Sequence, residues 1–197
     1  MHSSAHVFGE LFFERYWRPE FKRVLDIGSY DVNGSLRDVQ PAGSEWVGID
    51  IAAGPGVDVV LTDPYSYPFP DGHFDAIVST SCFEHDNMFW LTFLEALRVL
   101  SPGGMLYLNS PSQGGYHGHP GDNWRFYPDS GLALQQWAHR NNVNVRLVES
   151  FIVQVPCWYD FVAIFTKGDR KFDDAPLIAD RSAAHISDVR IPARVVG

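Results

Sequence analysis

Short apolar runs recur along the chain, and each one ends in a polar residue or a glycine. This pattern is typical of strands buried on both faces of a parallel sheet. The runs predicted as strands are Arg23–Gly28, Trp46–Ile51, Val57–Asp63, Phe74–Ser81 and Met105–Ser110.

Segments with apolar residues at three- and four-residue spacing lie before and between these runs. The spacing predicts a helix from about His6 to Trp17, packed on the domain or covering a pocket as a lid. A weak helix is predicted over residues 32–39, and a stronger one over 87–100 with Asp86 as its N-cap. A further helix is predicted from Asp129 to Arg140, with Asp129 as the capping residue.

Two more apolar runs, residues 144–153 and 160–167, are joined by a short turn around Pro156. Parallel strands need a long crossover, so this pair is predicted to be antiparallel and to end the sheet. The predicted fold class is α/β: a doubly wound, mostly parallel, seven-stranded Rossmann-like sheet with an antiparallel last strand and helices on both faces. Residues 1–22 would form the N-terminal helix or lid, 23–167 the main domain, and 168–197 an irregular tail or an oligomer arm.

The charge, the cysteine content and the apolar segments indicate which kinds of partner the protein can have. Fifteen Lys and Arg against 24 Asp and Glu give a formal charge of −9, which argues against nucleic acid, whose affinity depends on phosphate neutralisation. The two cysteines, Cys82 and Cys157, form no CxxC pair and no disulfide framework. No apolar run reaches membrane-spanning length, and the N-terminus lacks a signal-peptide pattern. We expect a cytoplasmic protein with a small-molecule partner and no membrane contact.

The first strand ends in "LDIGSYDVNG", where a ligand of such a sheet is expected. A dinucleotide fingerprint would place glycines where Tyr30 and Asn33 stand, so NAD is disfavoured. A carboxylate at Asp26, just before Gly28, would repel a diphosphate and attract an ammonium group. Asp50, at the end of the second strand, can accept hydrogen bonds from both ribose hydroxyls. A ligand with a ribose, a cationic tail and no phosphate fits S-adenosylmethionine (SAM).

The segments "VLDIGSYDVNG", "GIDI", "TDPYSYPFPDGHFDAIVSTSCFEH" and "EALRVLSPGGMLYLNSP" follow one another in order. Through them the chain, from about Val24 to Lys167, resembles the class I SAM-dependent methyltransferases. The resemblance implies that the methionine moiety lies at the Asp26–Gly28 loop, the ribose at Asp50 and the adenine amine at Asp63. The cofactor-binding residues it implies are Asp26, Gly28, Ser29, Asp50, Ile51, Asp63, Pro64, Ser81 and Cys82.

Methyl transfer to an alcohol requires a base for the hydroxyl proton, and histidine is the natural candidate. Three histidines follow the fourth and fifth strands: His85, His117 and His119. For His85, a structural role with the adjacent Glu84, bracing the loop, is an equal alternative.

The pair His117-x-His119 with Asp122 is also a possible divalent metal site. Magnesium, the metal of some sugar O-methyltransferases, prefers oxygen ligands, and a histidine pair in a Gly/Pro loop is flexible. We therefore predict no metal.

The loop itself, "HGHPGDNWRF", carries His117, Pro120, Asp122, Arg125 and Phe126 in the pattern H-x-x-P-x-D-x-x-R-F. This pattern resembles a signature of methyltransferases often associated with glycan and polysaccharide biosynthesis. Asp122 and Arg125 are expected to pair and fix the loop, while its aromatic rings offer flat faces to a sugar or form a hydrophobic lid. The predicted substrate-binding residues are Asp122, Trp124, Arg125 and Tyr127.

The expected function is O-methylation of a small hydroxylated acceptor, such as a sugar or glycan precursor, by SAM, with S-adenosylhomocysteine as the product. The alternatives are a non-catalytic SAM-binding or partner-binding domain and, less favoured, an NAD-dependent oxidoreductase. A second subunit could complete so short a chain, so a homodimer is a further expectation.

Overall fold

The structure, a computed structural model, describes residues 3–169, 172, 175–181 and 185–192. One sheet holds eight strands in the spatial order β3-β2-β1-β4-β5-β7-β6-β8. The strands are β1 (Arg23–Ile27), β2 (Glu45–Asp50), β3 (Val59–Val60), β4 (Phe74–Thr80), β5 (Leu100–Gln113), β6 (Val145–Val155), β7 (Trp158–Lys167) and β8 (Ile186–Arg190).

Four α-helices and one 3-10 helix accompany the sheet in the described residues. The α-helices are α1 (Ser3–Tyr16), α2 (Phe89–Val99), α3 (Ser130–Arg140) and α4 (Ile178–Arg181), and the 3-10 helix spans Leu36–Val39.

The first five strands are parallel, and β7 lies antiparallel between β5 and β6. The predicted α/β, Rossmann-like and mostly parallel sheet is therefore present, together with the antiparallel pair at its end. The predicted number of seven strands is corrected to eight. The additional strand comes from the C-terminal segment, where β8 pairs antiparallel with β6.

Successive residues of the central strands enter two different hydrophobic clusters, as the alternation of side chains in a strand requires. Leu25 and Ile27 of β1 pack in one cluster with α2 and α3, whereas Val24 packs in the other with α1 and the 3-10 helix. The helix α1 places four buried aromatic rings in that second cluster: Phe8, Phe12, Phe13 and Tyr16.

Two predicted elements are shorter than expected. The third strand is predicted over Val57–Asp63, but its ladder covers only Val59–Val60, because its partner β2 ends at Asp50, opposite Val60. After it, Asp63 accepts the Tyr65 backbone N–H (2.9 Å) in a turn. The helix predicted over 32–39 is the 3-10 helix alone. It begins after Gly34, whose φ of 123° is incompatible with a helix.

The two predicted capping aspartates do not cap their helices. Asp86 lies two residues before the N-cap of α2, and its carboxylate accepts the backbone N–H of Met88 (2.8 Å). Asp129 occupies the N-cap position of α3, but its side chain makes no capping hydrogen bond. It forms an ion pair with Arg190 of β8 instead (2.8 Å). The two carboxylates thus bind Met88 and Arg190 instead of the first turns of their helices.

The C-terminal segment is tied to the sheet and to α1 by one buried carboxylate. Glu149 of β6 accepts the Tyr16 hydroxyl and the backbone N–H groups of Ile178 and Ala179 (both 3.0 Å). The predicted irregular tail, residues 168–197, thus contains α4 and β8. Residues 170–171, 173–174, 182–184 and 193–197 lie outside the described part of the chain.

Candidate functional site

The predicted site residues lie at or after the carboxyl ends of the first five strands, which meet at one edge of the sheet because these strands are parallel. This edge is where ligands of open α/β sheets bind.

The turn after β1 is packed against the turn after β4. Gly28 has a φ of +77°, and a Cβ atom there would lie 2.5 Å from both Cβ and Sγ of Cys82. The backbone N–H groups of Gly28 and Ser29 donate to the Ile49 carbonyl at 3.0 and 3.1 Å, which holds the turn to β2. Only glycine fits this position, because a side chain would be strained by φ and would overlap Cys82.

Asp26 is buried rather than open at the edge; 5% of its surface is exposed. It shares a face of β1 with Val24, the face that packs toward α1. Burial raises the pKa of its carboxyl to about 7, and the Arg37 guanidinium partly opposes this effect. Asp26 therefore lies on the buried face of β1, two residues before Gly28.

Asp50 ends β2 with its carboxylate turned back to the loops beside it. One oxygen accepts the Tyr30 backbone N–H (3.3 Å), and the other accepts that of Ala52 (3.0 Å). Each carboxylate oxygen has a second acceptor position, so two hydroxyl groups can still be bound. The neighbouring Ile51 is 58% exposed and offers an apolar surface next to this carboxylate.

Asp63 and Pro64 lie on the segment after β3. Asp63 is exposed and Pro64 is half-buried. This segment is anchored toward β4 because the Tyr65 hydroxyl donates to Asp86 (2.9 Å). A cavity of about 350 Å³ opens beside it, lined by Val60, Leu61, Thr62, Ser66, Tyr67 and Pro68.

Ser81 and Cys82 form the turn after β4. Ser81 has a φ of 50°, and its backbone N–H donates to the Asn109 carbonyl of β5 (3.0 Å). Burial raises the pKa of the Cys82 thiol well above its ordinary value. Cys82 is thus a packing residue beneath the Gly28 turn, since a nucleophilic cysteine needs a lowered pKa.

Two of the three candidate histidines come together around an acidic residue. The His85 and His117 rings lie 5.1 Å apart between centroids, and their Nε2 atoms lie 3.6 and 3.9 Å from Oε1 of Glu84. The facing Glu84 carboxylate raises the pKa of the His117 imidazole, although partial burial opposes this effect. The third candidate, His119, is exposed and outside this group.

The predicted pair of Asp122 and Arg125 is present. Both terminal guanidinium nitrogens donate to the carboxylate; Nη2 does so at 2.6 Å and also donates to the Gly115 carbonyl (3.1 Å). The Arg125 guanidinium holds the pKa of Asp122 well below its usual range. Asp122 also accepts the His117 backbone N–H (2.9 Å), so the pair fixes the loop and the histidine together.

The two aromatic candidates differ in environment. Trp124 packs against Phe89 and Trp90, with ring centroids 5.3 and 5.9 Å away, and its indole N–H donates to the Asp86 carbonyl (2.7 Å). Tyr127 is 65% exposed. Trp124 thus joins the loop to α2, and Tyr127 offers more free surface to a ligand.

Residues 25–108 match the family model of a methyltransferase domain. The match includes the turns after β1, β2 and β4, and ends within β5. Among curated proteins, no sequence matches the chain.

Solved structures that share this fold include three that cover 82–85% of the chain. One is the [4+2]-cyclase SpnF, with 15% identity, a TM-score of 0.62, and coverage of 82% of this chain and 81% of that one. Another is the 1,6-didemethyltoxoflavin-N1-methyltransferase of Burkholderia thailandensis, solved with S-adenosylhomocysteine. It has 17% identity, a TM-score of 0.60, and coverage of 85% of this chain and 78% of that one. The third is a SAM-dependent methyltransferase of Archaeoglobus fulgidus, with 16% identity, a TM-score of 0.59, and coverage of 82% of this chain and 94% of that one. The fold is thus that of methyltransferase-like proteins, and the cyclase shows that this fold carries other reactions too.

Sequence reasoning missed Glu84 as a site residue in its own right. Its only signal was its place directly before His85 in "CFEHD". Its burial depends on Asn123 and Trp124, whose backbone N–H groups donate to the Glu84 carbonyl (2.7 and 3.1 Å). That contact joins segments far apart in the sequence.

No helix in the described part of the chain is both long and apolar enough to span a bilayer.

Proposed function

We propose that this protein is a SAM-dependent methyltransferase that acts on a small hydroxylated acceptor, such as a sugar or glycan precursor. The observation that carries the proposal is the joined pair of turns at Gly28 and Cys82, with the Asp50 carboxylate beside them, inside the segment that matches a methyltransferase domain. The same edge presents imidazoles where an acceptor would enter.

The residues at this edge suit SAM chemically. Asp50 would accept the ribose hydroxyls with its remaining lone pairs, and the exposed Ile51 would cover one face of the adenine. Asp63 and Pro64 would lie at the adenine amine. The Gly28 and Ser29 backbone would approach the methionine moiety, with Asp26, two residues before Gly28, favouring the ammonium group when ionised.

SAM, when bound, supplies an electrophilic methyl group on a sulfonium with a neutral leaving group. The chain's own task is to align the acceptor oxygen, to exclude water and to accept the hydroxyl proton. The Nδ1 atom of His85 bonds to the Gly121 carbonyl, so that nitrogen carries the hydrogen and Nε2 is free to accept a proton. His117 is held in the same way by the Gly115 carbonyl (3.2 Å), and both are candidates for the base.

The exposed Tyr127 and the Arg125 guanidinium face would contact a sugar-like acceptor. O-methylation and the link to glycan synthesis rest on the resemblance of the loop around His117 and on these side chains. A homodimer remains part of the proposal.

Calorimetry of SAM, S-adenosylhomocysteine and NAD binding tests the cofactor. We expect S-adenosylhomocysteine to bind at one site per chain, and NAD not to bind. Tight NAD binding with no binding of either sulfur ligand would refute the proposal.

A second candidate is SAM binding without methyl transfer. It is favoured by one observation, the structural similarity to a protein described as a cyclase. Ligand binding alone cannot separate the two candidates, because both require SAM, but transfer of a labelled methyl group does.

A further inference from the structure

We propose that Glu84, His85 and His117 bind one divalent transition-metal ion at the acceptor side of the cleft. The three side chains each offer a ligand atom, and these atoms all lie within 4.8 Å of one another. Two imidazole nitrogens and one carboxylate oxygen form a common set of protein ligands for such ions.

Glu84 needs a positive partner. None of its surface is exposed, and within the described residues neither carboxylate oxygen has a hydrogen-bond donor. The Nε2 atoms of His85 (3.6 Å) and His117 (3.9 Å) face Oε1 of Glu84 but are too far for hydrogen bonds. A buried carboxylate without a partner costs several kcal/mol. A cation between the three groups would remove that cost.

The orientation of both imidazoles suits metal binding. His85 Nδ1 bonds to the Gly121 carbonyl, and His117 Nδ1 lies 3.2 Å from the Gly115 carbonyl and 3.3 Å from Asp122. Carbonyl and carboxylate oxygens only accept, so each Nδ1 carries the hydrogen. In the neutral imidazole, each Nε2 therefore presents its lone pair toward Glu84. Metal-binding histidines are oriented in this way, by a hydrogen bond from the other ring nitrogen.

The group is held rigidly by its surroundings. The Glu84 carbonyl accepts two backbone N–H groups from residues 123–124, and Asp122 accepts the His117 backbone N–H while paired with Arg125. The His117 ring also packs edge-on against Trp158, with centroids 5.2 Å apart. These contacts fix the ligand atoms before any ion arrives.

These ligands differ from those of the metal site that the sequence suggested. That site would have used His117, His119 and Asp122, but His119 is exposed and the Asp122 carboxylate is taken by Arg125. Nitrogen ligands favour zinc and its neighbours over magnesium or calcium, which prefer oxygen.

The ion would have open positions, because only three protein ligands are available. Glu84 lies two residues after Cys82, which contacts the Gly28 turn. An acceptor hydroxyl on the ion would lose its proton to solvent water more easily and would lie next to the methyl donor; with both Nε2 atoms bound to the ion, the ion would replace the histidine base. This last role rests on the proposed function, whereas metal binding itself does not.

The test begins with protein freed of metal by a chelator and then dialysed. Calorimetric titration with Zn²⁺ and Mg²⁺, and the visible absorption of added Co²⁺, report binding without an activity assay. We expect one Zn²⁺ per chain, bound at least about 100-fold more tightly than Mg²⁺. Glu84→Gln, His85→Ala and His117→Ala should each weaken Zn²⁺ binding by about tenfold or more.

His119→Ala is the matched control, since it removes an exposed imidazole from the same loop, and its Zn²⁺ affinity should stay within about threefold of the wild type. Circular dichroism of each metal-free variant shows whether it is folded, and the variants that fold decide the result. The proposal is overturned if Zn²⁺ fails to bind stoichiometrically, or if His119→Ala loses as much affinity as the folded cluster variants. S-adenosylhomocysteine titration of the same metal-free protein separates failure of the metal site from failure of the proposed function.

Discussion

The α-carbon of Gly28 lies against the side chain of Cys82, so that any Cβ at position 28 would overlap Cβ and Sγ of that residue. The contact joins the turn after β1 to the turn after β4. It brings the segment expected to bind the cofactor next to the segment that continues into Glu84 and His85.

Gly28→Ala should reduce both stability and SAM binding. An alanine at this φ is strained by about 1 kcal/mol, and the overlap with Cys82 adds about 1–3 kcal/mol. Gly43→Ala is the matched control, because Gly43 has nearly the same φ (+79° against +77°) but no atom within 4 Å of an added Cβ. Urea denaturation and calorimetry check both variants. Equal losses in the two would show that the contact with Cys82 is unimportant.

Asp50→Ala should weaken S-adenosylhomocysteine binding by more than tenfold, since hydrogen bonds to a charged group contribute about 1.5–3 kcal/mol each. The exposed Asp38→Ala removes the same charge from the 3-10 helix and should leave the affinity unchanged. Isothermal titration measures both. Unchanged affinity in Asp50→Ala would mean that the ribose binds elsewhere.

Asp26 should make the protein less stable as the pH rises. Its pKa in the folded state is about 7, above the ordinary value of 3.8, so the folded state binds the proton more tightly than the unfolded chain does. The free energy of unfolding therefore falls as the pH rises from about 4 to 7. Asp26→Asn should remove this pH-dependent loss, so its stability should fall less than that of the wild type between pH 4 and pH 8, by about 1.4 kcal/mol for each unit of pKa shift. Urea denaturation from pH 4 to 8 measures this. If the difference in stability between Asp26→Asn and the wild type did not change with pH, ionisation of Asp26 would not be its cause.

Arg125→Lys should destabilise the protein by about 1–3 kcal/mol, because lysine cannot reproduce the two parallel hydrogen bonds to Asp122. The Asp122 side chain is 1% exposed and depends on this partner. Arg23→Lys is the control, since its partner Glu45 is mostly exposed and the single contact is 3.3 Å; a change below about 0.5 kcal/mol is expected there. Chemical denaturation distinguishes them, and similar values for both would argue against a structural role for the buried pair.

Much of the sheet could be predicted from local pattern. The cores of β1, β2, β4 and β5 are apolar runs bounded by glycine or polar residues, and α2 and α3 show helical spacing. The third strand is shorter than its apolar run, because its partner β2 ends at Asp50 opposite Val60, and hydrophobicity does not record where a partner strand ends. The eighth strand, "ISDVR", has little apolar pattern and forms by pairing with β6 about 35 residues earlier.

Part of the candidate site could be predicted from the order of the strands. Residues that end strands, such as Gly28 and Asp50, reach the same edge through the topology alone. Glu84 gave almost no signal, because its burial depends on a loop that follows it by more than 30 residues. His119 and His117 look alike in sequence, yet only His117 is turned inward, by its backbone bond to Asp122 and its contact with Trp158.

Transfer of a labelled methyl group from SAM tests the proposed methyltransferase activity directly. The purified protein is incubated with methyl-labelled SAM and a metabolite extract, and separately with defined sugars and nucleotide sugars. We expect a labelled, O-methylated product formed together with an equal amount of S-adenosylhomocysteine, and no labelled product with Asp50→Ala. A protein that binds S-adenosylhomocysteine but transfers no label to any acceptor would contradict the proposed activity.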